Sequence, residues 1–182
     1  FTKLGGEIKY RCAAEELIVS DGTVEGVRCN TAEGWEDFYA KSVVLASGGF
    51  EANPDSRRKH LGEGWENAKV RGTRHNTGKG IEMATQIGAV PHGFYQGCHA
   101  VPMDLNTPDF GNPDLPHIER KNYRKISYFL GVMLNARGVR FVDEGADFRN
   151  YTYAQFGRAI LEQPGQFALS LIHISEPTRL TS

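Results

Sequence analysis

Two glycine-rich segments carry the residue pattern in this chain that is most typical of a ligand site. The first reads KSVVLASGGFEAN over Lys41–Asn53, and its apolar run Val43–Ala46 stops at Ser47-Gly48-Gly49. A continuous aliphatic run suits a strand buried on both faces, as in a parallel sheet. The two glycines let the backbone bend sharply and approach a ligand closely. An ordinary turn after the strand is the alternative.

The second segment reads NTGKGIEMATQIGAV over Asn76–Val90 and has the pattern of a helix start. Thr77 is a candidate N-cap, two glycines flank Lys79, and apolar residues then recur at helical spacing. A helix start presents free backbone N–H groups, which suit a phosphate. The pattern predicts a helix over Thr77–Ile87 that ends at Gly88, a natural C′ glycine.

A third motif, NARGVRFVDE over Asn135–Glu144, completes an ordered set of three. Together these segments resemble the flavoprotein subunits of the fumarate reductase/succinate dehydrogenase superfamily over roughly residues 5–168. Two further stretches, GCHAVPMD at Gly97–Asp104 and GADFRNYTYAQFGRAI at Gly145–Ile160, are most similar to its FAD-dependent tricarballylate dehydrogenase branch. The family's upstream GxGxxG fingerprint is absent from the sequence, so we expect an internal piece of a longer enzyme.

The resemblance implies an α/β fold and FAD as the cofactor. Residues 1–96 would be part of a Rossmann-like FAD-binding domain with a β-meander, and residues 97–168 part of an α+β capping domain that holds the substrate. Lys79 stands where the family carries an acid. Cys12, Ala13 and Ala14 would touch the adenine, or they are simply small residues at a strand end. The implied cofactor-binding residues are Ala14, Ala46, Ser47, Gly48, Gly49, Gly78, Lys79 and Gly80.

His99 and Arg149 are the residues to which the resemblance assigns chemistry. His99 would bind a substrate carboxylate, although one extra residue separates it from Gln96 here. Arg149 would transfer a proton, also with one extra residue after Glu144. Arginine is almost always protonated, so it needs a coupled carboxylate, for which Glu119 and Glu144 are candidates. A solvated histidine and an ion-paired arginine are the alternatives.

A basic cluster precedes the last predicted strand and comprises Arg120, Lys121, Arg124 and Lys125. Charge runs of this kind are often solvated faces. A substrate with two or three carboxylates nevertheless needs several cations, and the planar fork of arginine matches a carboxylate bidentately. The cluster therefore makes Arg120 and Arg124 candidate substrate-binding residues.

The function that the resemblance implies is oxidation of a CH–CH bond in a polycarboxylate, with tricarballylate to cis-aconitate as the specific expectation. An electron-acceptor protein would be the partner of the whole enzyme. The alternatives are a fumarate reductase-like or a 3-ketosteroid 1-dehydrogenase-like flavoenzyme. A further alternative is that the segment by itself is inert and does not hold FAD.

Composition sets bounds on these readings. The chain has 182 residues, a net charge of −1 and 40% hydrophobic residues, with no basic excess to suggest nucleic acid. It contains no apolar run long enough for a membrane span. Three unpatterned cysteines disfavour a disulfide framework and predict a reducing, cytoplasmic setting. No Cys/His spacing predicts a metal site.

The elements that would position these residues follow from turn and helix signals. Strands are expected over Glu7–Tyr10 and in a meander whose hairpin turns lie at Asp21-Gly22 and near Gly34. Beyond it we expect helices at Pro54–Leu61 and about Thr152–Leu161, a strand at Tyr128–Asn135, and a functional loop at Pro91–Pro116. Residues 169–182 resemble a translated sequencing adapter and are expected to lie outside the fold.

Overall fold

The computed structural model describes residues 1–70, 72–108, 123 and 127–172. The chain forms two compact units. The first comprises Phe1–Glu51 and His75–Gly93, and the second comprises Ala52–Arg74 and Phe94–Ser182. The predicted division into FAD-binding and capping domains at residues 96 and 97 stays a prediction; residues 52–74 group with the second unit.

The first unit is built on a three-stranded antiparallel meander in the order β1-β2-β3. The strands are β1 (Cys12–Ser20), β2 (Thr23–Thr31) and β3 (Gly34–Tyr39). Ser20 pairs with Thr23 across a two-residue turn in which Asp21 and Gly22 both have positive φ. Asp-Gly tolerates that conformation, and its twist matches the flanking strands. The predicted meander and its turns are confirmed.

Two predicted strands are absent. Residues Glu7–Tyr10 are not paired, since β1 begins only at Cys12 and Arg11 has a positive φ that breaks the extended run. Val43–Ala46 is also not a buried strand: Val44 is 86% exposed, and the segment pairs with no strand in the described part of the chain. A strand buried on both faces requires neighbours, and the meander ends before this segment begins.

Helix α2 (Lys79–Gln86) packs against β1 and starts later than predicted. Its N-cap is Gly78 with φ +85°, and no side chain caps it, so Thr77 does not have the expected role. At its other end Gly88 has φ +97° and donates to the Thr85 carbonyl, while Ala89 donates to the Ala84 carbonyl. These two bonds form a Schellman motif, which confirms Gly88 as the C′ glycine.

The second unit contains α1 (Pro54–Leu61) and α3 (Arg149–Leu161), with β4 (Gly131–Leu134) and β5 (Leu169–Ile172) as an antiparallel pair. The predicted helix at Pro54–Leu61 is confirmed. Helix α3 begins one turn earlier than predicted, and a 3-10 turn at Tyr128–Leu130 replaces the first part of the predicted strand. The core consists of Tyr128, Met133 and Phe156.

The expectation that all of residues 169–182 lies outside the fold is wrong for its first four residues. Leu169–Ile172 forms β5, which pairs with β4 from Gly131↔Ile172 to Leu134↔Leu169. The edge of β4 offers unpaired backbone N–H and C=O groups, and any extended segment within reach can form hydrogen bonds with them. Residues 173–182 lie outside the described part of the chain.

Candidate functional site

The structure joins the two glycine-rich segments in the first unit. We call Ala46–Gly49 together with Gly78–Gly80 the glycine junction. The Gly78 N–H donates to the Gly49 carbonyl at 2.9 Å, and Asn76 Nδ2 donates to Glu51 Oε1 at 2.5 Å. The glycine junction contains seven of the eight predicted cofactor-binding residues, which the sequence separates by about thirty positions.

Packing explains why glycine occupies positions 48, 78 and 80 of the glycine junction. A Cβ on Gly78 would lie 2.9 Å from Phe50 Cβ, and one on Gly80 would collide with the Ser47 hydroxyl. Gly48 has φ +79°, and a Cβ there would lie 3.0 Å from Asn76 Nδ2. Side chains at these positions would push the loop away from the start of α2. The glycines therefore fix the approach of the loop to the helix.

The exposed half of the glycine junction leaves room for a ligand. Ala46, Ser47 and Gly48 are all exposed. Their small side chains leave the main chain of the loop accessible from one side, which suits close approach by a planar or hydroxylated ligand. The residues present therefore fit the uncharged parts of FAD.

Lys79 is held by carboxylates and is not a free cation. Its Nζ lies 3.2 Å from Glu15 Oε2 on β1 and 3.6 Å from Glu82 Oε2 on α2. Burial lowers the pKa of Lys79, but the two carboxylates raise it, and the balance lies above the ordinary value. Because two carboxylates surround one ammonium, the charge at the start of α2 disfavours a phosphate there. The expected phosphate position at this helix is thus not supported by its electrostatics.

Ala14 lies within β1, one residue before the Glu15 that pairs with Lys79. The stretch Cys12–Ala14 is therefore inside a strand and does not follow one. Ala14 pairs with Cys29 of β2. Burial and the neighbouring Cys12 thiol raise the pKa of Cys29 to about 11, so this thiol stays protonated at neutral pH. The contact of Ala14 with adenine stays a prediction.

In the second unit, α3 holds the segment Gln96–Ala100. The Ala100 N–H donates to the Ala154 carbonyl and the Gly157 N–H donates to the Ala100 carbonyl, both at 2.9 Å. A Cβ on Gly157 would lie 2.6 Å from the Ala100 carbonyl carbon, so only glycine permits this approach. Arg158 adds a bond of 3.0 Å to the Gln96 carbonyl. We call this arrangement the α3 clamp.

The α3 clamp holds the segment that contains His99 against the helix that contains Arg149. The His99 ring meets the Tyr153 ring edge-on, with centroids 5.0 Å apart and planes at 73°. Arg149 is the first residue of α3, one turn before Tyr153, so the two side chains leave the helix on the same side. Arg149 is half-buried and donates to Asn150 Oδ1 at 3.0 Å.

Glu144 has a structural contact where sequence reasoning considered a proton relay. It is 3% exposed and accepts from the Met133 N–H at 2.5 Å and from Arg140 at 2.6 and 2.9 Å. Burial raises the pKa of Glu144, but these donors lower it, and the balance lies below the ordinary value. Arg140 is the residue that sequence reasoning missed; it lies four residues before Glu144 in a non-helical segment after β4, where that spacing alone predicts no contact.

Several expectations fall outside the described residues. Arg120, Arg124 and the alternative relay Glu119 are among them, as is the rest of the basic cluster. Within the described residues, no three His, Cys, Asp or Glu side chains come together as a metal site requires. In the same part of the chain, no helix is both long and apolar enough to cross a membrane.

Comparison with known proteins identifies the family. A family model described as FAD binding domain matches residues 1–173, so the chain belongs to this family. A vinyl phenol reductase from Lactiplantibacillus plantarum is 28% identical over 170 residues, which cover 92% of this chain and 33% of that protein. An NADH:fumarate oxidoreductase from Klebsiella pneumoniae is 28% identical over 151 residues, covering 79% of this chain and 14% of that protein.

Solved structures agree with this assignment. The open conformation of a flavocytochrome c3 fumarate reductase matches with a TM-score of 0.62 at 28% identity, covering 86% of this chain and 25% of that chain. A 3-ketosteroid Δ1-dehydrogenase from Sterolibacterium denitrificans matches with a TM-score of 0.60 at 26% identity, covering 83% and 26%. The expected α/β fold and the cofactor FAD are confirmed. The chain spans a third or less of the length of these proteins.

Proposed function

We propose that the protein carrying this chain is an FAD-dependent oxidoreductase acting on a CH–CH bond flanked by carboxylates. The best specific substrate is tricarballylate, oxidised to cis-aconitate. One hydrogen leaves as a hydride with the electron pair of its C–H bond, and a hydrogen on the adjacent carbon leaves as a proton. The electron pair that the proton leaves behind forms the C=C bond between the two carbons. Bound FAD supplies the redox chemistry by accepting the hydride.

The observation that carries this proposal is that the α3 clamp of an FAD-binding chain holds His99 against the helix that begins at Arg149. A histidine at this position can bind a carboxylate when protonated, and the arginine can do so at any ordinary pH. Support for CH–CH chemistry comes from the similar proteins, since fumarate and vinyl phenol each contain a C=C bond. Arg120 and Arg124 would supply further cations for a third carboxylate.

In this proposal the guanidinium of Arg149 transfers the substrate proton, and His99 binds a substrate carboxylate. Glu144 is excluded as the relay because Met133 and Arg140 already bind its carboxylate. Glu119 is left as the candidate to exchange a proton with Arg149. Ala46–Gly48 and Gly78 of the glycine junction would hold the cofactor. An electron-acceptor protein would reoxidise the reduced cofactor.

Steady-state kinetics of the longest polypeptide that carries this chain test the assignment. Arg149→Lys should lower kcat on tricarballylate by about 100-fold with unchanged FAD content, because lysine loses the planar fork and the positioned proton path. His99→Ala should mainly raise KM, because it removes a contact made equally in ground and transition states. Arg137→Lys, in the exposed turn after β4, is the matched control and should behave as wild type.

The same assay separates the alternatives. A fumarate reductase-like enzyme would turn over succinate or fumarate in preference to tricarballylate. A steroid dehydrogenase would accept only the ketosteroid; the match to a 3-ketosteroid Δ1-dehydrogenase and the exposed Tyr151 on α3 favour testing it. Near-normal turnover of Arg149→Lys on every accepted substrate would remove Arg149 from the proton-transfer role.

A further inference from the structure

Tyr153 has two sets of contacts that together restrict its ring. On one side it packs against the core cluster of Tyr128, Met133 and Phe156. On the other side it meets His99 edge-on, with ring centroids 5.0 Å apart. The core thus fixes the tyrosine ring, and the tyrosine ring in turn presents a rigid surface to an exposed imidazole.

The backbone next to His99 is fixed by the same helix. Ala100 both donates to and accepts from α3, through Ala154 and Gly157. Between that anchored backbone and the imidazole, the main chain of His99 and its side-chain torsions χ1 and χ2 remain free to rotate. An edge-on contact between aromatic rings favours a particular relative orientation, so Tyr153 restricts the two side-chain torsions that the backbone bonds leave free.

We propose that Tyr153 is a positioning residue that holds the His99 imidazole on the face of α3 from which Arg149 projects. In that position the imidazole would be presented to a substrate carboxylate, and this role rests on the proposed function. Tyr153 acts through His99 and is not itself a catalytic residue. The α3 clamp and Tyr153 together hold His99, the proposed carboxylate-binding residue, against the helix that begins at Arg149, the proposed proton-transfer residue. Oriented catalysis depends on fixed positions of this kind.

Two substitutions separate the ring from the hydroxyl. Tyr153→Phe keeps the aromatic edge, whereas Tyr153→Leu keeps apolar volume for the core and removes the ring. Tyr151→Leu is the matched control, because Tyr151 lies on the same helix, is 70% exposed and contacts Phe148. NMR of the longest polypeptide that carries this chain then follows the imidazole protons of His99, assigned by their loss in His99→Gln.

A second arm titrates each variant with tricarballylate and follows the same resonance. We expect Tyr153→Phe and Tyr151→Leu to keep the wild-type position of the His99 resonance, whereas Tyr153→Leu moves it toward that of a solvated histidine. The affinity for tricarballylate should fall about fivefold in Tyr153→Leu alone, the size expected for losing one aromatic pair.

Each outcome is decisive. An unchanged His99 resonance in Tyr153→Leu would overturn the positioning role, as would an equal shift in Tyr151→Leu. A shifted resonance with unchanged affinity for tricarballylate would overturn the link between that position and carboxylate binding. If the wild-type resonance depends on Tyr153 but does not respond to tricarballylate, the positioning stands and the proposed function fails.

Discussion

At the scale of single residues, the Arg140–Glu144 pair shows how one buried carboxylate organises a motif. Glu144 is bound by a backbone N–H from β4 and by a guanidinium four residues earlier. It therefore ties the turn after β4 to the strand itself. Removing a charged acceptor leaves its donors unpaired, which costs more than the bond contributes.

We predict that Glu144→Gln lowers the free energy of unfolding by about 1–3 kcal/mol at neutral pH. Asp143→Asn is the control: Asp143 lies 3.5 Å from the same arginine, but its side chain is 71% exposed, so we expect a change within about 0.5 kcal/mol. Chemical denaturation of the two variants measures both values. Equal effects would show that burial of the pair is not what matters.

The pH dependence of this pair has a definite sign. The folded pKa of Glu144 lies below its ordinary value of 4.5. Its contribution is thus fully present above 4.5 and is lost as the pH falls through the lower folded value. The difference in stability between wild type and Glu144→Gln should shrink on acidification in that window. A difference that stays constant there would contradict the assignment.

At the scale of elements, the sequence predicted the turns and helix ends that depend on a few adjacent residues. Asp21-Gly22 predicted a hairpin because both residues tolerate positive φ, and Gly88 predicted a helix end for the same reason. The prediction of a buried strand at Val43–Ala46 was wrong, because burial on both faces depends on neighbouring strands that these residues cannot specify. The contact of Gly157 with Ala100 was unpredictable, since it joins positions 57 apart.

Gly157→Ala tests the α3 clamp. In an ordinary helix interior, alanine is about 1 kcal/mol more favourable than glycine. Here its Cβ would lie 2.6 Å from the Ala100 backbone, so overpacking should prevail and lower the free energy of unfolding by about 1–3 kcal/mol. Gly145→Ala, whose Cβ would have no neighbour closer than 3.8 Å, should change it by less than about 0.5 kcal/mol. A stabilised Gly157→Ala in thermal or chemical unfolding would refute the close approach.

Truncation tests the pairing of β4 with β5. A chain ending at Ile172 keeps the pairing, whereas one ending at Ala168 removes all four residue pairs and uncovers the edge of β4. We expect amide hydrogen exchange of Gly131–Leu134 to accelerate only in the shorter chain. Equal protection of β4 in both chains would show that Leu169–Ile172 does not contribute to the sheet.

At the scale of the whole molecule, each unit contributes a different part of the proposed chemistry. The first unit supplies the glycine junction, whose residues the glycine-rich patterns of the sequence singled out. Their contact with FAD stays a prediction. The second supplies Arg149 at the start of α3 and His99 in the segment that long-range hydrogen bonds hold against this helix. The charges around Lys79 were equally hidden, because Glu15 is 64 residues away in the chain.

The most direct test of the central claim is anaerobic reduction of the flavin by candidate substrates. The longest polypeptide that carries this chain is loaded with FAD and mixed with tricarballylate, succinate or a 3-ketosteroid while the visible flavin band is recorded. We predict that tricarballylate bleaches the band with formation of cis-aconitate, and that Arg149→Lys slows this step about 100-fold. Bleaching by the ketosteroid alone, or by none of the three, would contradict the account.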